Sequence, residues 1–217
     1  MKTLHQAFEY ANPLQRDVAA FHDAFLTPNR LDSPGPLPAD RVELRLGLIR
    51  EEGIEELREA IDARNDIDIV DALIDTMYVS FGALVEMGFD AGSPAPALEW
   101  RSTGEMLIDT AERAAEPIQS NYLQLAEVLR SRNNMVRAIN LLSEIICEAS
   151  DALTDAGIDP VPFFAEVQRA NMSKLGADGR PIFSRGMQLD GYPEGKVLKG
   201  PGYSPPNLAR IWAELYR

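Results

Sequence analysis

Apolar residues recur at every third or fourth position along most of the chain, which is the spacing of amphipathic helices. In the first such segment one helix face carries Leu14, Val18, Phe21 and Phe25. The pattern predicts helices over residues 13–26, 40–63, 67–87, 102–115, 118–131, 135–156 and 161–169. Asp40 is expected to be the N-cap of the second helix and Gly88 the C-cap of the third. Because no stretch alternates apolar and polar residues with period two over a useful length, the predicted fold class is all-α.

The chain also contains a possible internal repeat. Residues 56–90 can be laid over residues 124–159 with one residue of slip in the loop between the two helices. The apolar positions agree, whereas the acidic ones differ: Asp68 lies opposite Arg137, and Asp71 opposite Asn140. Two amphipathic hairpins can align by chance, so the second segment is either a degenerate copy that kept its core and lost its acids, or an insertion.

Composition excludes several classes of function. The 217 residues include one cysteine and two histidines, too few for an internal disulfide, a multi-cysteine zinc site or a histidine-rich centre. A bound metal would therefore need oxygen ligands. No run is apolar and long enough to span a bilayer and no signal peptide opens the chain, so we expect a cytoplasmic protein that does not enter membranes.

The charge is unevenly distributed along the chain. A formal net charge of −13 argues against a nucleic-acid partner, because phosphate affinity comes from clustered Lys and Arg. Residues 169–217 hold eight Lys/Arg and four Asp/Glu, about +4, which leaves about −17 for residues 1–168. An acidic body with a basic tail can hold a cation in one part and phosphate in the other.

Most of the candidate chemistry lies between Leu48 and Leu73, which contain nine carboxylates in 26 residues. The pairs Glu52-x-x-Glu55 and Asp68-x-x-Asp71 each put two acids on one helix face, and the short break between the helices is expected to fold them into a hairpin. The first helix alone is typical of a solvated face. The next helix is apolar nearly all round, however, and buried carboxylates must be paired, protonated or metal-bound. Arginines are too few nearby to neutralise them, and an all-oxygen set suits Mg²⁺, or alternatively Mn²⁺.

These pairs resemble the E-x-x-E, spacer, E-x-x-D motif of the all-α nucleoside triphosphate pyrophosphohydrolases, the superfamily of MazG, dimeric dUTPases and phosphoribosyl-ATP pyrophosphohydrolase. The tail sequences "EVQRANMSKLGADGRPI" and "GKVLKGPGYSPPNL" are similar to the phosphoribosyl-ATP pyrophosphohydrolase-like branch. The resemblance covers about residues 14–90 and 158–208. Asp68 departs from it, since the motif has glutamate there, and its shorter side chain could act through water.

The resemblance implies a role for each candidate residue. The metal ligands would be Glu52, Glu55, Asp68 and Asp71. Glu51 would be the catalytic base that takes the proton of the attacking water. The substrate-binding residues would be Asp75, Asn171, Lys174, Lys196 and Lys199, with the lysines on the phosphates of the nucleotide.

The resemblance also implies an architecture. It is a MazG-like four-helix bundle in a single domain, 1–217, duplicated internally as a pseudo-dimer. Residues 13–90 would be the catalytic repeat, 91–159 the degenerate repeat or insertion, and 160–217 a helix and the Gly/Pro-rich basic tail that closes over the substrate. A further homodimer is compatible with the habit of the superfamily.

The expected function is Mg²⁺-dependent cleavage of a (d)NTP, such as dUTP or a non-canonical nucleotide, to a monophosphate and pyrophosphate in a house-cleaning role. Two alternatives remain open at the level of sequence. One is a phosphoribosyl-ATP pyrophosphohydrolase of histidine biosynthesis. The other is a catalytically inactive helical bundle that binds nucleotides.

Overall fold

The computed structural model describes residues 10–92, 103–191 and 197–216. The helices are α1 Pro13–Ala24, α2 Ala39–Arg50, a π-helix Glu51–Glu56, α3 Leu57–Ala63, α4 Asp66–Met87, α5 Leu107–Ser131, α6 Met135–Asp155, α7 Pro160–Met172, α8 Met187–Asp190 and α9 Leu208–Leu215. These ranges contain no strand, and the one β-bridge found in them joins Phe183 to Val197. The predicted all-α class is confirmed. No described helix is both long enough and apolar enough to cross a membrane.

The ends of α4 follow from local chemistry. Asn65 is its N-cap, and its side chain accepts hydrogen bonds from the amides of Ile67 and Asp68. Gly88 is its C-cap with φ +75°, as predicted, and a Cβ there would lie 2.1 Å from the carbonyl oxygen of Arg30. Glycine is therefore required at this position both by conformation and by the close approach of the loop before α2.

Two of the predicted helix boundaries are wrong. Asp40 is not an N-cap, because α2 begins at Ala39 behind Pro38 and Asp40 lies in the first turn, where its charge favours the helix dipole. The helices expected over 102–115 and 118–131 are one helix, α5, with Pro117 inside it. Its buried face continues past the proline, through Ala114 and Ile118, so packing maintains a helix that local preference would interrupt.

Helix α4 lies at the centre of the fold. Sixteen of its 22 residues are buried, which confirms the burial predicted from its apolar composition. On one side it contacts the rod formed by α2, the π-helix and α3, and on another the α5–α6 hairpin. Helices α1 and α7 also contact α4 and each other. The carboxylates on the N-terminal half of α4 therefore face the rod, within reach of α7.

The C-terminal half of α4 shows how this fold neutralises a buried carboxylate. Glu86 accepts hydrogen bonds from Arg41 (Nε to Oε2, 3.0 Å) and from Arg45 (2.7 Å). Burial alone would raise the pKa of Glu86, but the two guanidinium groups outweigh it and lower that pKa. Arg45 also donates to His22 Nε2 (2.9 Å), while His22 Nδ1 donates to the carbonyl of Pro28 (2.7 Å). The buried carboxylate of Glu86 is thus neutralised by ion pairs with two arginines.

Candidate active site

A π-helical turn, Glu51–Glu56, sets which acids of the rod face α4. Its hydrogen bonds reach one residue further than those of an α-helix, so each turn takes up more residues and positions four apart come to lie on one face. Glu52 and Glu56 share a hydrogen bond there. On the α-helix opposite, Asp71 and Asp75 are also four residues apart. These four side chains are referred to below as the acidic group.

Gly53 lets the π-helix approach α4 closely. A Cβ at this position would lie 3.2 Å from both Cγ2 and Oγ1 of Thr76 and 3.4 Å from Cγ2 of Ile118. The Thr76 hydroxyl itself donates to the carbonyl of Ala72 (2.7 Å), which fixes the side chain against α4. The small residue in this turn therefore lets Glu52 and Glu56 lie next to Asp71 and Asp75.

Burial and neighbouring acidic charges raise the pKa of three members of the acidic group, Glu52, Asp71 and Asp75. Burial raises the pKa of Glu52 far above its usual range, and the charges of Asp75 and Glu56 raise it further. Burial, then the charges of Glu56 and Asp68, raise the pKa of Asp71 to about 6. Burial and the charge of Asp71 raise the pKa of Asp75 to about 7, against an opposing effect of Lys174. The acidic group is thus short of positive charge, in contrast to Glu86 at the other end of α4.

Two oxygen atoms of the group are buried without a partner. Within the part of the chain that the structure describes, neither Oε2 of Glu52 nor Oδ1 of Asp71 has a hydrogen-bond partner. A buried carboxylate oxygen without a hydrogen-bond partner is costly, and such an oxygen calls for a water or an ion as its partner. The donor chemistry, all carboxylate oxygen, fits a hard divalent cation. The side chains are not pre-arranged for one, however, since no three Asp, Glu, His or Cys residues in the described ranges could hold a metal ion as they stand.

The other predicted acids are Glu51, Asp68 and Glu55, of which the first two act on the acidic group and Glu55 is paired elsewhere. Glu51 is exposed but close enough to raise the pKa of Glu52. Asp68 is exposed, and its carboxylate accepts a hydrogen bond from the side-chain amide of Asn65 (2.6 Å). The charge of Asp68 also raises the pKa of Asp71. Glu55 forms an ion pair with Arg50 (3.4 Å), with about half of its side chain exposed.

Glu56 is exposed, as its sequence context predicts, but its charge raises the pKa of Glu52, Asp71 and Asp75, a role that the sequence did not assign to it. A spacing of three residues, as between neighbours on an α-helix, pairs Glu52 with Glu55 instead. The available signal was the common spacing of four residues in the pairs Glu52–Glu56 and Asp71–Asp75. On an α-helix, positions three and four apart share a face, so the spacing alone does not choose between Glu55 and Glu56, whereas the π-helical turn favours Glu56.

Helix α7 faces the acidic group from the other side. The Lys174 ammonium group donates to Oδ1 of Asn171 (2.6 Å) and lowers the pKa of Asp75. Asn171 also hydrogen-bonds to Tyr78, which is on the same face of α4 as Asp75. The predicted N-x-x-K pair is therefore next to the acids, about a hundred residues away in sequence.

The structure describes one of the two other predicted lysines, Lys199, and does not bring it to the acidic group. Lys199 lies over the ring of Tyr203, with Nζ 4.5 Å from the ring centroid, and its side chain is exposed. Lys196 lies outside the described residues. Their proposed contacts with substrate stay predictions.

Comparison with known proteins gives a match over the segment that carries the acidic group. Residues 18–99 match the family model described as phosphoribosyl-ATP pyrophosphohydrolase. No curated protein and no solved structure gave a significant match. The matched range includes the whole acidic group but not α7 or the tail. The segment that carries the acidic group is thus similar to the phosphoribosyl-ATP pyrophosphohydrolase family, which is part of the MazG-like nucleoside triphosphate pyrophosphohydrolase superfamily.

Proposed function

We propose that this protein is a divalent-cation-dependent nucleotide pyrophosphohydrolase that splits the bond between the α- and β-phosphates of its substrate. The family match supports a pyrophosphohydrolase activity in general. The observation that carries the proposal is the pair of buried, unpartnered carboxylate oxygens, on Glu52 and Asp71, inside a group of four acids that has Lys174 at its edge.

In this proposal Mg²⁺, or Mn²⁺, is held by Glu52 and Asp71, with Glu56 and Asp75 beside them. Asp68 and Glu55 of the motif are the remaining candidate metal ligands, and Asp68 would bind the ion through a water molecule. When bound, the ion neutralises charge on the phosphates and lowers the pKa of a water molecule. The opposite arrangement at Glu86, where two arginines meet one acid, supports the view that the acidic group is kept for a cation supplied from solution.

The remaining steps are assigned to side chains of the chain. Lys174 and Asn171 would bind phosphate oxygens of the substrate. The ammonium group of Lys174 would then pair with phosphate instead of acting on Asp75. Two acids could take the proton of the attacking water. Glu51 is adjacent to Glu52 and open to solvent, whereas Asp75 has a pKa of about 7, close to the value that general base catalysis favours.

Pyrophosphate release from a panel of dNTPs, NTPs and modified nucleotides, with Mg²⁺ and with Mn²⁺, tests the proposal. Glu52→Gln and Asp71→Asn should each lower turnover by at least about a hundredfold, the scale of losing a group that stabilises transition-state charge. Glu59→Gln, an exposed acid on α3, is the matched control and should be near wild type. Turnover that survives in both site variants would place the chemistry elsewhere.

The same panel decides between substrates. Preference for a (d)NTP such as dUTP would indicate a house-cleaning enzyme, whereas action on phosphoribosyl-ATP alone would indicate the histidine pathway enzyme after which the matched family is described. Nucleotide binding with Mg²⁺ but without pyrophosphate release would indicate an inactive binder.

We also propose that the α5–α6 hairpin is a degenerate second copy of the α3–α4 hairpin. Both hairpins turn through an arginine in the left-handed region, Arg64 (φ 52°) and Arg132 (φ 55°), and both second helices have an asparagine N-cap. At the positions of the lost acids, Arg137 is paired with Glu144 (3.3 Å).

A pseudo-dimer of this kind, shaped as a four-helix bundle, would have one metal site per chain. Titration calorimetry with Mn²⁺ should then give one occupied acidic group per chain, and Arg137→Ala should leave the binding unchanged. Light scattering would show whether the protein is also a homodimer.

A further inference from the structure

The tail of the chain returns to α7 and binds it through main-chain groups. The guanidinium group of Arg169 donates to the carbonyl of Pro205 (2.9 Å), the amide of Ser204 donates to Oγ of Ser173 (3.0 Å), and the amide of Asn207 donates to Glu166 Oε1 (2.9 Å). We refer to residues 200–207 as the clasp. It occupies the side of α7 that presents residues 166, 169 and 173.

A different side of α7 faces the acidic group. The side chain of Gln168 accepts a hydrogen bond from the Tyr78 hydroxyl (2.6 Å), and Asn171 accepts one from Lys174 (2.6 Å). Helix α7 and the residues just after it therefore stand between the clasp and the acids. A displacement of the clasp would be transmitted to this second side.

Lys174 contacts both the clasp, through its backbone, and the acidic group, through its side chain. Its carbonyl accepts the amide of Gly200 (3.0 Å), while its ammonium group lies at Asn171 and acts on Asp75. Lys174 lies two residues beyond the end of α7, where its amide donates to the carbonyl of Asn171 (3.1 Å). The bond from Gly200 restrains the other side of this residue, its carbonyl group.

The contact at Gly200 is too close for any side chain. A Cβ there would lie 2.2 Å from the carbonyl oxygen of Leu175 and 2.9 Å from that of Lys174. Both neighbours are backbone atoms, so neither can rotate away. Any other residue would force the clasp and the backbone of Lys174 apart.

We propose that Gly200 is a positioning residue for substrate binding: the clasp sets the place of Lys174 at the acidic group, and through it the affinity for the substrate's phosphates. This inference rests on the proposed function. It assigns the amide of Gly200 to Lys174, so this amide is not an anion ligand itself. It also gives the Gly/Pro-rich tail a role that does not depend on its lysines.

The test compares Gly200→Ala with Gly202→Ala, which lies in the same tail segment and whose added Cβ meets no described atom within 4 Å. Lys174→Gln and the double variant Gly200→Ala/Lys174→Gln complete a cycle. For each protein, KM and kcat are measured with the preferred nucleotide, and thermal unfolding confirms folding.

The expected result is a split between KM and kcat. Lys174→Gln should raise KM by about tenfold to a hundredfold, which corresponds to the loss of one charge-assisted hydrogen bond. Gly200→Ala should raise KM by about tenfold with a much smaller change in kcat, because uniform binding is lost. Gly202→Ala should match wild type, and the double variant should be no worse than Lys174→Gln alone. A merely structural role for Gly200 would instead give effects that multiply.

Failure of this inference and failure of the proposed function look different. If the wild type hydrolyses nucleotides and Gly200→Ala equals Gly202→Ala, or the effects in the cycle multiply, the positioning role is overturned and the function stands. If the wild type neither hydrolyses nor binds any nucleotide of the panel, both are overturned. Should Gly200→Ala fail to fold, Ser173→Ala enters the same cycle, since it removes the hydroxyl that accepts the Ser204 amide and leaves Gly200 intact.

Discussion

Replacing Asp71 by asparagine removes one charge from the acidic group at nearly constant side-chain size. In the metal-free protein, burial and the charges of Glu56 and Asp68 raise the pKa of Asp71 from 3.8 to about 6. Between these pH values the folded state keeps a proton that the unfolded state has released, so the free energy of unfolding falls as the pH rises through the interval. At about 1.36 kcal/mol per pKa unit the full effect is about 3 kcal/mol.

Solvent access reduces this value, because Asp71 is only half-buried. We therefore expect Asp71→Asn to raise the free energy of unfolding of the metal-free protein by about 1–2 kcal/mol at pH 8, with no gain at pH 4. The same variant should lose most of its pyrophosphohydrolase activity. A substitution that stabilises the fold and abolishes the activity is the signature of a site that stores unfavourable charge for function.

Urea unfolding at pH 4 and pH 8 in a chelator measures the effect. Asp62→Asn, an exposed acid on α3, is the control and should change stability by less than about 0.5 kcal/mol at either pH. Adding Mg²⁺ at about a hundred times its Kd should stabilise the wild type by about 2.7 kcal/mol and the Asp71 variant much less. If Asp71→Asn instead lowered the free energy of unfolding at pH 8, the carboxylate would be stabilising the fold and the reasoning would be refuted.

Three further predictions concern the packing around α4. Gly53→Ala should push the π-helix away from Thr76 and lower turnover by about tenfold. The control Gly47→Ala, with no described atom within 4 Å of the new Cβ, should preserve activity and stabilise α2 by up to about 1 kcal/mol. Activity assays and thermal unfolding of the two variants, measured in parallel, check this prediction. Glu86→Ala should cost about 3–5 kcal/mol in urea unfolding, since it leaves the buried Arg45 without its counter-charge, and a cost under about 1 kcal/mol would contradict the buried pair. Burial and Arg45 lower the pKa of His22 from 6.5 to about 4, so its contribution to stability is complete above pH 6.5 and is lost as the pH falls towards 4; its imidazole NMR signals should not titrate between pH 7 and pH 5.

Local chemistry in the sequence determined most of the helices and the nature of the site. Apolar composition predicted α4 and the burial of most of its residues, and Gly88 predicted where it ends. The collection of acids around positions 51–75 and the N-x-x-K pair were also readable, because residue type and short-range spacing carry that information. The family match over residues 18–99 includes the segment with the acids but not the N-x-x-K pair.

Tertiary structure alone decided the register of the acids. The π-helical turn and the close approach at Gly53 place Glu56 beside Glu52 and leave Glu55 paired with Arg50, since a widened turn is stable only where the packing against α4 holds it. Packing likewise carries α5 through Pro117. It also brings Lys174 to Asp75, because a contact between residues a hundred positions apart depends on how α7 and the tail dock, which no local pattern in the chain encodes.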